Sequence, residues 1–373
     1  MRLLYLVGAL GRGGAELQVA QLARLMRQRG HEVALLAYDG PSDLDDDLRQ
    51  VGVDVRVAHA RRRREKLAVV REAVRELQPE VMHGVMKRAS SLAVMARGLR
   101  RRPRIVATDM STATFNPNQR ALRAALVAFA FADRVVTQTE LNRRNLERLA
   151  PWLRGKVRVI RNGLDTERFT PNGDTGRTVG EPFRFCAVGT VYPIKNPVRV
   201  LEALAKLRRR GAPPFRLDWY GRFGRSEGER EAMQETVRSA VEALGLHDVV
   251  TFHGEVGSVE EAYRKADALV HASLQEGFPN AVAEAMACGL PLVVSDVSDL
   301  PLVVESAENG FMCDATDVSS ITHALESMLT LDVHKRFAKG EASRRLAKRW
   351  FALDPFADSF ENLYTTLVGA QIR

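Results

Sequence analysis

Leu3-Leu4-Tyr5-Leu6-Val7, then Gly8-Ala9-Leu10-Gly11-Arg12-Gly13-Gly14, then Ala15-Glu16, is the stretch that decides the fold of this 373-residue chain. The apolar run reads as a short buried strand, and the glycines after it read as a turn. From Ala15 the pattern becomes helical: Val19, Leu22, Ala23 and Met26 share one face, and Gly30 ends the helix. A second apolar run, Val33 to Ala37, completes a strand–turn–helix–strand unit. Such a unit belongs to a parallel sheet with helices on its faces. The first run superficially looks like a secretory leader, but it is too short and passes straight into glycines.

The alternation continues along the chain. Val53 to Val57, Val81 to Val85, Ile105 to Ala107, Val135 to Thr137 and Val157 to Ile160 are expected strands. Lys66 to Leu77 and Gln119 to Phe131 are expected helices, the latter with Leu122, Leu126 and Phe129 on its apolar stripe. A first α/β domain is therefore expected over residues 1–169. Residues 170–183, rich in glycine, proline and small polar residues, have the composition of a linker. A second α/β domain is expected over 184–350. It opens with a strand at Phe185 to Val188, a loop at Gly189 to Asn196 and a helix from Pro197, a residue tolerated in a first turn. Further strands are expected at Arg216 to Tyr220, Val249 to Phe252, Ala268 to His271 and Pro291 to Ser295. Residues 318–350 read as helical. Residues 351–373 carry Phe351, Phe356, Phe360, Leu363 and Leu367 at mostly helical spacing, so this segment must pack on a domain surface.

Composition sets limits on function. With 45% hydrophobic and 27% charged residues the chain is neither disordered nor fibrous. Lys and Arg number 55 against 46 for Asp and Glu, a formal charge of +9. That excess suits a phosphate-bearing substrate or an anionic surface. Two basic runs stand out, Arg61 to Arg64 with Lys66, and Arg100 to Arg102 with Arg104. A solvated face explains either run alone; contact with anionic lipid, at about 1 kcal/mol per residue, is the sharper alternative. No nucleic-acid module accompanies the charge, so no nucleic-acid partner is expected. Cys186, Cys288 and Cys313 are far apart in apolar surroundings and read as reduced core residues, which suits the cytoplasm. No stretch reaches the length of a membrane span, so any membrane contact is expected to be peripheral, on the inner face.

Three segments carry the chemistry. Gly11 to Glu16 lets a ligand approach the backbone, and the amides opening the helix attract phosphate; a tight turn is the bland alternative. Gly189-Thr190-Val191-Tyr192-Pro193-Ile194-Lys195-Asn196-Pro197 holds the equivalent place in the second domain, and Lys195 there can set a charge beside a diphosphate. The third is His271-Ala-Ser-Leu-Gln-Glu276-Gly277-Phe278-Pro279-Asn280-Ala-Val-Ala-Glu284-Ala-Met-Ala-Cys288-Gly289. Glu276 falls in a bend after a strand, and Glu284 in the first two turns of the next helix. Loop amides can hold hydroxyls or phosphate oxygens, and a carboxylate accepts from a vicinal diol such as ribose. Glu284 has small and apolar neighbours, so it needs a partner. Asp45-Asp46-Asp47 reads as a solvated helix start and not as a metal site.

At these residues the sequence resembles the retaining glycosyltransferases of family four, which have the GT-B architecture. The resemblance covers nearly the whole chain. It is most specific at Glu276 and Glu284, at Glu-Gly-Phe-Pro, and at Ala285-Met-Ala-Cys-Gly-Leu-Pro291; Asn162-Gly163-Leu-Asp165 with Phe169 is similar to the stretch closing the family's first domain. It implies two Rossmann-like α/β domains facing across a cleft, with residues 351–373 crossing back onto the first. It also implies transfer of a sugar, with retention, from a nucleoside-diphosphate donor to an acceptor hydroxyl; the basic runs suit a lipid-linked or phosphorylated acceptor, as in cell-envelope polysaccharide or glycolipid synthesis. The acceptor would be lipid-linked, a saccharide or a small molecule; no cofactor and no metal would be needed.

Carried over by residue, Gly13 and Gly14 would lie close to the donor phosphates or the acceptor. Lys195 would stabilise the departing diphosphate, and Glu276, helped by the amides of Gly277, Phe278, Pro279 and Asn280, would face the transferred sugar. Glu284 would bind ribose. The family commonly has an arginine where this chain has Thr190, so Arg222 and Arg225 are candidates for a second cation. It often has a histidine where this chain reads Thr108-Asp109; Asp109 could bind a hydroxyl instead. A same-fold epimerase or phosphorylase, or a non-catalytic nucleotide-sugar-binding protein, would share many of these features.

Overall fold

The computed structural model describes residues 1–9, 14–41, 44–110, 119–171 and 181–369. Two compact units divide the chain, Met1–Gly163 with Leu353–Arg373, and Leu164–Ala352. In the first, strands and helices alternate as β1 (Arg2–Val7), α1 (Gly14–Gln28), β2 (Glu32–Ala37), α2 (Asp45–Gln50), β3 (Asp54–Val57), α3 (Arg63–Leu77) and β4 (Val81–Val85). Then come α4 (Met86–Arg97), β5 (Arg104–Asp109), α5 (Gln119–Ala130), β6 (Arg134–Thr137), α6 (Glu140–Leu149) and β7 (Val157–Val159). The second unit holds β8 (Phe183–Val188), α7 (Pro197–Arg209), β9 (Phe215–Tyr220), α8 (Glu227–Leu244), β10 (Val250–Gly254), α9 (Val259–Arg264) and β11 (Ala268–His271). It continues through α10 (Asn280–Ala287), β12 (Leu292–Ser295), α11 (Leu300–Ala307), β13 (Gly310–Cys313), α12 (Val318–Leu329) and α13 (Val333–Phe351), and α14 (Leu353–Gly369) follows.

Both sheets are doubly wound. Their orders are β3-β2-β1-β4-β5-β6-β7 and β10-β9-β8-β11-β12-β13, and neighbouring strands run parallel, as β1 with β4 and β8 with β11 do. Successive residues of a strand point to opposite faces. Hence Leu3, Tyr5 and Val7 join one apolar cluster of the first unit, while Leu4 and Leu6 join the other. The same alternation sends Phe185 and Ala187 to one side of the second sheet and Cys186 to the other. Strands covered on both faces read as unbroken apolar runs, which is why they are visible in the sequence.

The terminal helix α14 completes the first unit. Its Phe356, Phe360, Tyr364 and Leu367 are buried in the cluster that also contains Tyr5, Val19 and Leu22. Gly163 is shaped by this packing, since a Cβ there would come within 2.6 Å of the Phe356 ring. The Gln18 side-chain amide locks the same glycine, accepting from its N–H at 2.7 Å and donating to its carbonyl at 2.9 Å.

Several expectations need adjusting. Leu164 to Phe169, placed in the first domain by sequence, belong to the second unit: the Leu164 N–H donates to the Phe351 carbonyl at 2.6 Å, and Phe169 packs against Tyr263. Phe351 is likewise buried in the second unit's core, so the segment that joins the first unit begins at Leu353. The strand β13 escaped notice because it is a short, half-exposed edge strand. The helical stretch after residue 317 is broken before Asp332, whose carboxylate accepts from the Lys335 N–H and opens α13. Asp45 does start a helix, but it is buried and not solvated. The linker's residues 172–180 lie outside the described residues.

Candidate functional site

In a doubly wound sheet, ligands bind beyond the strand C-termini where the strand order reverses. In the second unit that point falls between β8 and β11. The loop after β8 carries Thr190 and Lys195, and the loop after β11 carries Glu276 to Asn280. Their backbones are joined where the Leu274 N–H donates to the Ile194 carbonyl at 2.8 Å.

Lys195 closes a 3-10 turn, Pro193–Lys195. Asn196 follows in the left-handed region at φ 62°, which asparagine tolerates better than most residues. Its side-chain amide donates to the carbonyls of Ala272 (3.1 Å) and Ala315 (2.7 Å), fixing the turn to the sheet. Lys195 Nζ then donates to Glu276 Oε1 at 2.5 Å. His271 Nε2 meets the same oxygen at 2.9 Å. Burial alone would raise the Glu276 carboxyl, but the His271 hydrogen bond and the Lys195 ammonium outweigh it and hold the group down at about 2. Burial, with help from the Lys195 ammonium, keeps the His271 imidazole below its ordinary value. Glu276 is therefore ionised and His271 neutral at pH 7, leaving Lys195 and Glu276 as a mutually cancelling charge pair.

The loop from Gly221 is stapled to this site. The Val191 N–H donates to the Arg222 carbonyl at 2.8 Å, and the Gly224 N–H returns to the Val191 carbonyl at 3.0 Å. Gly221 is indispensable here: its φ is +141°, and a Cβ would lie 2.2 Å from the Gly189 carbonyl oxygen. Arg222 is exposed, and the Arg225 guanidinium stacks 4.3 Å over the Tyr192 ring. Stacking leaves the guanidinium edge able to donate.

Beyond Glu276 the bend divides its labour. Phe278 turns into the core against Phe351, with ring centroids 5.0 Å apart, and Pro279 has no N–H, so donation from this bend is limited to Gly277, Phe278 and Asn280. The Gly277 carbonyl accepts from Ser298 Oγ. Glu284 sits on α10 and accepts from the Tyr263 hydroxyl at 2.8 Å. Burial raises its carboxyl, partly offset by Tyr263 and the Arg168 charge.

The remaining expected site residues lie in the first unit. Gly14 is the first residue of α1, and Gly13 lies outside the described residues. Asp109, expected to bind a hydroxyl, is instead fully buried at the end of β5 with Lys87 Nζ 3.5 Å from its carboxylate, so it presents no oxygen to a ligand directly. Thr108 is engaged by His83 Nε2, and His83 Nδ1 meets the Tyr364 hydroxyl at 2.7 Å. Burial lowers the His83 imidazole to about 3. Gln18, His83, Thr108, Gln138 and Asn162 contribute to the wall of a narrow cavity at this sheet's C-terminal edge. Among the described residues no group of three or more His, Cys, Asp or Glu side chains could hold a metal ion, and no helix is long and apolar enough to cross a membrane.

Sequence reasoning gave no role to His271, Asn196 or Tyr263. The first stood in plain view five residues before Glu276; the asparagine's signal was its place before Pro197; Tyr263 had none, because its partner is on another element.

Two Rossmann-like units, each with a switch point, and a terminal helix define the GT-B architecture. The family models for Glycosyltransferase Family 4 and Glycosyl transferases group 1 match residues 12–168 and 175–346. The chain is a GT-B-fold relative of these glycosyltransferases. It is 32% identical over 227 residues to a D-inositol 3-phosphate glycosyltransferase of Corynebacterium jeikeium, covering 58% of this chain and 53% of that one. A D-inositol 3-phosphate glycosyltransferase of Mycolicibacterium smegmatis is 32% identical over 205 residues, covering 53% and 45%. The chain thus spans about half the length of the curated relatives it matches. Among solved structures, Anabaena Alr3699/HepE in complex with UDP superposes with a TM-score of 0.85 at 21% identity, over 98% of this chain and 100% of that one. Sucrose-phosphate synthase from Thermosynechococcus elongatus gives 0.83 at 19% identity over 100% of both.

Proposed function

We propose that the chain is a retaining glycosyltransferase that moves a sugar from a nucleoside-diphosphate donor to an acceptor hydroxyl. The observation that carries this reading is the Lys195–Glu276 pair, set on the two loops that flank the second unit's switch point. Lys195 leaves Glu276 for the donor's diphosphate, and Glu276 takes a hydroxyl of the sugar. Because the pair is neutral, one lysine leaves a diphosphate under-compensated; Arg225 or Arg222, on the loop stapled to Val191, supplies the second cation that the usual arginine at Thr190 would give. The Thr190 hydroxyl and the amides of Gly277, Phe278 and Asn280 donate to phosphate or sugar oxygens, and Glu284 takes the ribose diol. In the first unit, Gly13 and Gly14 serve donor phosphate or acceptor, Gly14 at the start of α1, and Asp109, buried beside Lys87, orders the edge where the acceptor hydroxyl arrives.

The chemistry follows from these roles. The bond from the anomeric carbon to the diphosphate oxygen breaks, and its electron pair leaves on that oxygen beside the cations. The acceptor oxygen bonds to the anomeric carbon from the same face, and its proton passes to the departing phosphate. No protein nucleophile is needed for retention.

The acceptor reading is an envelope saccharide or lipid-linked hydroxyl, reached from the cytoplasmic face of a membrane. Leu99, Phe131 and Trp152 are exposed at the C-terminal ends of α4 and α5 and just after α6. Their neighbourhood is tied together where Arg97 donates to the Phe131 carbonyl and Lys156 to those of Ala130 and Ala132. Arg100, Arg101 and Arg154 are exposed beside them. Exposed apolar side chains with arginines close to them in the chain suit an anionic lipid surface.

A thermal-shift screen of UDP, GDP and their sugars tests the reading. A ligand at a hundred times its Kd adds about 2.7 kcal/mol. Stabilisation by one nucleotide sugar, with diphosphate release accelerated by an acceptor, is the expected result. Indifference to every nucleotide overturns it, and tight binding without transfer would assign a non-catalytic binding protein.

A further inference from the structure

His271 ends β11, a strand held on one side by β8 and on the other by β12, where His271 pairs with Val294. Its side chain is buried, at 3% exposure, yet its Nε2 reaches a carboxylate that is 13% exposed at the head of the site. A carboxylate only accepts, so the neutral ring carries its proton on Nε2 and donates to Glu276 Oε1. Ser273 Oγ lies 3.2 Å from the same nitrogen, and Ser295 Oγ donates to the Ser273 carbonyl at 2.7 Å, which fixes the start of the loop. Two donors of unlike kind therefore share one oxygen. Lys195 is a charge on a long flexible stem; His271 is uncharged and rigidly mounted on the sheet.

That asymmetry matters once an anion arrives. If Lys195 were the only group holding Glu276, the ammonium moving to a diphosphate would draw the carboxylate with it or be held back. We propose that His271 is a positioning residue that anchors Glu276 to the sheet, so that Lys195 transfers to the donor's diphosphate while the carboxylate stays where a sugar hydroxyl meets it. The inference rests on the donor reading above for its purpose, but the anchoring itself does not depend on which nucleotide binds.

Two measurements test it separately. A crystal structure of Lys195→Ala should show Glu276 still hydrogen-bonded to His271; a carboxylate swung into solvent overturns the anchor whatever the donor. The second measurement is a double-mutant cycle read by calorimetric affinity for UDP, which lacks the sugar and so stays measurable without Glu276. His271→Leu should weaken UDP about tenfold, as Glu276 then keeps Lys195, and should add nothing in a Glu276→Ala background. His271→Gln, which retains an N–H donor, should recover most of the loss and controls for folding. Equal losses in both backgrounds assign a merely structural role and overturn the inference. A wild-type chain that binds neither UDP nor GDP removes the donor reading, and the crystal structure still decides the anchor.

Discussion

Lys195, Glu284 and His83 each make a different demand on the surrounding chemistry. Lys195→Ala should lower kcat by about a hundredfold to a thousandfold, the usual effect of removing a main stabiliser of developing negative charge; near-normal diphosphate release excludes its leaving-group role. Glu284 has a raised carboxyl, so ionising it in the folded state costs stability as pH rises above the unfolded value. Glu284→Gln should therefore raise Tm at pH 7 while weakening nucleoside-diphosphate binding, and a variant that lowers both would show the carboxylate to be structural. His83 is depressed from 6.5 to about 3. A histidine held neutral contributes stability above pH 6.5 that is lost as pH falls toward 3, at up to about 1.4 kcal/mol per unit. Urea unfolding between pH 7 and 4 should show this slope, and His83→Gln should flatten it. The two glutamates were legible in the sequence through their glycine bend and their resemblance to the family's pair. His83 was not, since a lone histidine in an apolar strand announces nothing about the tyrosine 281 residues further on that bonds it.

Among the elements, α14 joins the first unit's core through Phe356, Phe360, Tyr364 and Leu367. Phe360 is buried against His83 and Tyr364. Phe360→Ala should destabilise by about 3–5 kcal/mol, measured by denaturant titration with a probe in the first unit; a loss below 1 kcal/mol would mean the helix is only draped on the surface. Its amphipathic spacing was plain in the sequence, and so were strands such as β1 and β11, because burial on both faces leaves an unbroken apolar signature. Elements that lack one were hidden: α4 buries Ala89, Ser90, Ala93 and Ala96 with Leu92 as the one large residue among them, too little to print a stripe, and β13 lies at an edge. The stapling of the Gly221 loop to Val191 was equally invisible, being made by backbone atoms alone.

At the scale of the molecule, the formal charge of +9 becomes a surface question. If the exposed Leu99, Phe131 and Trp152 meet lipid, the protein should co-sediment with phosphatidylglycerol vesicles and not with phosphatidylcholine, and Phe131→Ser with Trp152→Ser should release it. Equal recovery in both vesicle types removes the membrane reading without touching the donor site. The two-domain architecture itself was readable from the repeated strand–turn–helix pattern, whereas the unit boundary was not, because Leu164 to Phe169 carry no composition change and are claimed by the hydrogen bond to Phe351. The return of α14 has a consequence for biosynthesis. A ribosome delivers Leu164–Ala352 as one continuous stretch, but the unit begun by Met1–Gly163 waits for its final wall until residues beyond Ala352 emerge. The later-made half can thus reach its native core first, and the nascent earlier half must keep Tyr5, Val19 and Leu22 from aggregating meanwhile.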